Sequence, residues 1–310
     1  MPNNKVTVGG QAVIEGVMMR APGRVAVAVR KPNGNIVVKS ERFESITQKI
    51  KLLGWPFLRG AVVLIESLVL GVRALSFSGD IAVQEEDNDS GQTELKEKSK
   101  LAKLWMGITV LFSFVLGLGL FFYVPLMLTG LFHLQSGIAF NLVDGIFRLA
   151  IFLAYIYFIT LWKDIRRIFE YHGAEHKSVF TFEDTKDLNV DSAKPYSTLH
   201  PRCGTSFLLI VMLVSIFVFM FLGRPDNIAE RLLRLAFVPV IGGISYELIR
   251  LSDKGYKNNF FKIFILPGLW LQKLTTREPD ESQIEVALVA LKSALGEEPK
   301  VGLSKVEVLH

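Results

Sequence analysis

Apolar and polar positions change period several times along the chain. Near the N-terminus, Val25, Val27 and Val29 alternate with Ala26 and Ala28. That is the two-residue period of a strand. Lys31-Pro32-Asn33-Gly34-Asn35 is rich in turn formers, and Ile36-Val37-Val38 resumes the apolar run. The pattern predicts a β-hairpin. Residues 1–55 read as a small β-rich unit. The glycines of Gly9–Arg20 are followed by no Gly-Lys-Ser/Thr and match no dinucleotide fingerprint. They read as tight turns between strands, or as a segment that brings Gln11 or Glu15 to a functional centre.

Residues 56–83 are mostly apolar, but Arg59, Glu66 and Arg73 recur every seven residues. That spacing predicts an amphipathic helix lying on a membrane surface. A span is the alternative, and Glu66 at mid-membrane would make it costly. Residues 84–103 are charged and read as a linker. Residues 104–250 contain four apolar runs long enough to cross a bilayer: Leu104–Val124, Leu142–Leu161, Ser206–Leu222 and Leu232–Ile249. Residues 251–310 hold an interfacial segment, Phe260–Leu271, with Trp270 as a headgroup-level anchor. A helix follows in which Ile284, Leu288, Leu291 and Leu295 share a face and Gly296 is the stop. It is expected to pack on the N-terminal unit. The fold class expected is a polytopic α-helical membrane protein of about four transmembrane helices, with a small β-rich cytoplasmic N-terminal unit.

Composition agrees with a membrane chain. Half of the 310 residues (50%) are hydrophobic. The polar start, Met1–Lys5, predicts no cleavable signal peptide. The net charge of +5 follows from basic residues held on one side of a membrane, so no nucleic acid is expected. Seven basic residues fall in loop 162–205 and none in loop 125–141. The positive-inside rule then puts both termini and loop 162–205 in the cytoplasm of a bacterial inner membrane.

The chain has five histidines and one cysteine. Three of those histidines and the cysteine lie between positions 172 and 203. His172 and His176 stand one helical turn apart, so both imidazoles can meet one ion. Glu175 borders the same face. His-x-x-Glu-His is the inverted zinc-peptidase signature. In that chemistry the carboxylate is general base to a water that the metal acidifies. His200 and Cys203, just before the third span, are the donors that could complete the set. A divalent ion is the expected cofactor, and imidazole plus thiolate favours zinc. Glu183 and Glu247 are weaker candidates. Asp144 is an intramembrane charge.

Three stretches together, Gly9–Arg20, His172–Lys177 and His200–Phe207, resemble the YqhQ-like family of bacterial membrane proteins over essentially the whole chain. The family is a domain of unknown function, and the resemblance implies a metal-dependent membrane protein without a stated substrate. Two functions stay open. One is a metal-dependent hydrolase at the cytoplasmic membrane face, with Glu175 as the base and His172, His176 and His200 or Cys203 as ligands. The other is a non-enzymatic scaffold or assembly factor with a closed structural metal site. Membrane lipid and a membrane-proximal substrate or protein are the expected partners. A transporter is the weakest reading, because the spans are few.

Overall fold

A computed structural model describes residues 8–56, 58–83, 95–184, 187–254, 259–302 and 304–309. The chain divides into two compact units. One is Met1–Glu85, Phe158–Val211 and Gly242–His310; the other is Glu86–Tyr157 and Met212–Ile241.

The first unit is built on a five-stranded sheet in the order β1 (Gly9–Val13), β2 (Gly16–Ala21), β3 (Arg24–Arg30), β4 (Ile36–Arg42) and β5 (Val306–Leu309). The first four strands are antiparallel. The expected hairpin is β3–β4, with Arg30 opposite Ile36. Sequence reasoning did not find β5, which adds parallel to β4. The short helix α1 (Ile46–Lys49) leads to α2 (Leu58–Val83).

Alternation in the strands sends side chains to two different layers. Val13, Met18 and Val25 meet Ala74 of α2, and Val29 and Val37 meet Ile81. The intervening Val17, Met19, Ala26, Ala28, Ile36 and Val38 face a larger core on the other side. The helices of that core are α6 (Lys163–Glu183) and α12 (Glu281–Leu295). Ala26 and Ala28 keep this face of β3 low, so α12 lies close. Ile284, Leu288 and Leu291 of α12 are fully buried, each contributing about 1.5–3 kcal/mol.

The expected packing and stop of α12 hold, with Gly296 at φ +82°. Its amphipathic character does not: the helix is buried nearly all round. Gln283 donates to Glu170 at 2.9 Å and Glu285 accepts from Arg30 at 2.7 Å and Ser304 at 2.7 Å. These polar side chains are buried because partners distant in sequence satisfy them.

In the second unit, α3 (Leu95–Leu118) continues through a π turn into α4 (Val124–Gly130). Residues 95–103, read as linker, are thus the start of a helix. Their Leu, Lys, Glu and Ala are strong helix formers. Residues 84–94 lie outside the described residues. Helix α5 (Gly137–Ile159) packs in this unit against the later part of α8 (Gly204–Phe221). At Gly145 an added Cβ would come within 2.5 Å of Ile216. Helix α9 (Ile228–Ala236) brings Arg234 into the same interior. Asp144 and Arg148 pair at 2.8 Å, and Asn141 donates to Gly223 O at 2.8 Å. Outward residues such as Phe112, Leu116 and Phe221 are exposed and apolar.

The remaining elements are the four-residue α7 (Val190–Ala193), α10 (Val238–Lys254) and α11 (Asn259–Thr275). The segment read as interfacial is part of a continuous helix through Pro267, with Trp270 exposed.

Among the described residues, five helical stretches are long and apolar enough to cross a membrane: Leu58–Ala82, Gly107–Gly130, Gly137–Ile159, Gly204–Leu222 and Ile228–Leu251. This differs from the expected count of four by the first stretch. Glu66 weighed against it in the sequence, yet it is not left unpaired. Its carboxylate accepts from Ser45 Oγ at 2.8 Å and the Ile46 amide at 2.6 Å. Arg59 is likewise paired with Glu247. The cost of a lone charge in an apolar helix therefore does not arise here.

Candidate metal centre

Helix α6 carries the chemistry. From Tyr171 to Val179 it is buried, because it lies against β1 and α12. Gly173 permits this approach, since a Cβ there would come within 2.1 Å of the Arg277 carbonyl. The Arg277 amide in turn donates to Phe169 O at 2.9 Å.

Each imidazole is held by a backbone carbonyl. His172 Nδ1 lies 2.8 Å from Thr275 O, and His176 Nδ1 lies 2.5 Å from Thr198 O. A carbonyl only accepts, so both rings carry their proton on Nδ1 and present a lone pair on Nε2. His172 Nε2 is 3.1 Å from Cys203 Sγ. His176 is 2% exposed and its Nε2 has no hydrogen-bond partner. The donor atoms of His172, His176 and Cys203 lie within 4.8 Å of one another. A carbonyl on the distal nitrogen is how metal-ligating histidines are oriented.

Cys203 sits at the N-terminal end of α8. Its sulfur is 3.0 Å from Thr205 Oγ1 and 3.4 Å from the Thr205 amide. Burial pushes His176 below its ordinary value of 6.5, and the Cys203 side chain opposes that shift. A neutral imidazole is the form that ligates.

His200 stands apart from this trio. It is buried, 5.7 Å from His176 between ring centroids. Its Nε2 lies 3.6 Å from Glu183 Oε2, and its Nδ1 accepts from the Arg202 amide at 3.3 Å. Glu183 also pairs with Arg202. Gln272 of α11 fixes the segment. It accepts the His200 amide at 2.8 Å and donates to His200 O at 2.9 Å and Ser206 Oγ at 3.1 Å. Gln272 was marked in the sequence only as a polar residue in an apolar helix, and the carbonyls of Thr198 and Thr275 were not marked at all.

Glu175 is buried, and its Oε1 accepts the Gly10 amide at 2.9 Å. Burial pushes its carboxyl above 4.5, against the pull of His172, Gly10 and His200. Gly10 is thus the residue of the N-terminal segment that meets Glu175, and Gln11 lines the cavity beside it. A Cβ at Gly10 would come within 2.4 Å of Met18 O, so no larger residue fits the approach. Glu15 instead pairs with Arg167 and accepts from Tyr171 OH at 3.2 Å. Glu247 is taken by Arg59.

A cavity of about 450 Å³ opens beside the centre. Glu175, His176, His200 and Cys203 contribute to its lining, together with residues of β1 and β2 and Leu70 of α2.

The sequence profile of a family described as "Protein of unknown function (DUF1385)" matches residues 55–297. The chain is 34% identical over 298 residues to a Bacillus subtilis (strain 168) protein described as "Uncharacterized protein YqhQ", covering 93% of this chain and 92% of that protein. No solved structure matches. With the family profile and this relative both spanning most of its length, the chain belongs to the DUF1385 family of proteins of unknown function.

Proposed function

We propose that this is a membrane protein holding a divalent ion, zinc by its donor set, at His172, His176 and Cys203, and that it is a hydrolase acting at the cytoplasmic membrane face. The observation that carries the reading is the buried, unpartnered Nε2 of His176, converging with His172 Nε2 and a sulfur. The sulfur is met by the Thr205 amide and hydroxyl, but the His176 Nε2 has no such donor. Two imidazoles and a thiolate suit zinc and leave a ligand position unfilled by protein. When bound, such an ion supplies Lewis-acid polarisation of a substrate oxygen. Glu175 is the residue to take a proton, tethered through one oxygen to Gly10. His200, oriented by Gln272, lines the same cavity.

Connectivity supports four crossings rather than five. Strands β1–β4, α6 and α12 pack into one core, so they lie on one side of any bilayer. The chain between β4 and α6 must then cross an even number of times. The stretches Gly107–Gly130 and Gly137–Ile159 supply two. Helix α2, which packs on the sheet through Ala74 and Ile81, lies along the surface. The basic residues of loop 162–205 support a cytoplasmic location for that side.

A closed structural site is the second reading, favoured by the burial of every donor and by the Gly10 tether on Glu175. Cobalt(II)-loaded protein separates the two. A thiolate–cobalt absorption band that shifts on adding azide indicates an open position, and an unresponsive band indicates a closed one. In the hydrolase reading, Glu175→Gln keeps the metal and loses about 10²–10⁴-fold of turnover. Full turnover in that variant would remove Glu175 as the base.

A further inference from the structure

The cavity beside the centre has a chemistry of its own. Its lining also includes Arg20, Phe43, Gln48, Ser67 and Leu70. The Arg20 guanidinium lies over the Phe43 ring, 4.5 Å from its centroid. The carboxylate nearby, Glu66, stands 3.9 Å away and is already engaged by Ser45 and Ile46. Arg20 is therefore a cation at the cavity with no carboxylate at hydrogen-bond distance among the described residues. Arg202 and the first residue of α8, Gly204, also line the space. An arginine and an 18-residue helix's N-terminus both favour an anion.

The rest of the lining is apolar. Val8, Met18, Phe43, Leu70 and Val179 contribute to it. Leu70 and Ser67 belong to α2, whose neighbouring Leu68, Val69 and Val72 are exposed. A pocket with an arginine in its lining thus lies against a helix with exposed apolar residues. A small soluble anion uses only half of that arrangement. An amphiphile uses both halves.

We propose that this cavity binds the phosphate-bearing headgroup of an anionic membrane phospholipid, with its apolar part running along the outer face of α2. The lipid is the substrate class of the reaction proposed above. The inference rests on that reading for the reaction but not for the binding. Arg20 receives the phosphate, and Phe43 holds Arg20 in place. Gly9 marks the free space, since a Cβ there meets nothing within 4 Å.

The test uses the full-length protein, purified in detergent and immobilised. Retention of radiolabelled phosphatidylglycerol is compared with that of phosphatidylcholine and of glycerol 3-phosphate, with metal content measured on the same samples. Phosphatidylglycerol is expected to be retained about tenfold more tightly than phosphatidylcholine, the value of roughly one charge-assisted contact. Arg20→Ala is expected to abolish that preference. Gly9→Phe, which fills the space without touching a metal donor, is expected to weaken retention of phosphatidylglycerol at unchanged metal content. Equal retention of the two lipids, or an Arg20→Ala variant that keeps the preference, would overturn the proposal. Glycerol 3-phosphate bound as tightly as the lipid would overturn the lipid assignment. Wild type that binds phosphatidylglycerol as expected but holds no metal would leave this inference standing and remove the metal reading.

Discussion

Two buried polar clusters, one in each unit, differ in the kind of atoms they leave over. In the second unit, Asp144, Arg148 and Arg234 are all buried, and Arg148 donates to Asp144 at 2.8 Å. Both guanidiniums lie over the Phe219 ring, at 5.3 and 5.0 Å. The atoms without partners there are Arg148 Nε and Arg234 Nη1, which donate, and Asp144 Oδ1 and Asn141 Oδ1, which accept. Donors and acceptors in one place can be bridged by water. In the first unit, two imidazole lone pairs and a sulfur converge, and none of the three is a strong donor. Such a set suits a cation. The first cluster holds opposite charges together; the second collects ligands.

Substitutions should separate the two by what they change. Asp144→Ala leaves two arginines buried without their carboxylate. It is expected to cost about 3–5 kcal/mol of stability in thermal or denaturant unfolding, with metal content unaffected. Replacing Asp144 and Arg148 together by Leu and Met is expected to recover only part of that loss, because Arg234 stays buried without its carboxylate. If metal content fell with Asp144→Ala, the two clusters would not be independent.

A smaller effect is expected at Gly173. Its Ala variant must push the Arg277 carbonyl away, costing about 1–3 kcal/mol and loosening the helix that carries both histidines. Here stability and metal affinity should fall together, unlike in Asp144→Ala.

The smallest effect is a pH dependence. Burial holds His176 below 6.5, so the unfolded chain takes up its proton more readily than the folded one. The stability this contributes is present above about pH 6.5 and is lost as pH falls toward the lowered value. Metal-free protein should therefore lose stability over that range, and His176→Ala should reduce the slope. An unchanged slope in the variant would mean that another group titrates there.

The same contrast explains what the sequence made legible. The β3–β4 hairpin could be read because alternation and a turn are local signals. The apolar runs were legible for the same reason. The pair of histidines on α6 followed from helical spacing. Spacing did not say whether His200 or Cys203 joins them, since that depends on Gln272 of α11, about 70 residues further on, clamping the His200 backbone. It did not show that Gly10, rather than Gln11 or Glu15, meets Glu175, because the contact uses a backbone amide that any residue possesses. Strand β5 and the burial of Gln283 and Glu285 depend on partners that are far apart in the chain. Glu66 weighed against a span in the sequence, and its partners, Ser45 and the Ile46 amide, were not legible because they come from a preceding turn.

The most direct measurement is elemental analysis of purified wild-type protein beside His176→Ala and Cys203→Ser. The account predicts about one zinc per chain in the wild type and close to none in either variant, with both variants still folded. A wild type purified without stoichiometric metal, and unable to take up zinc when it is supplied, would contradict it.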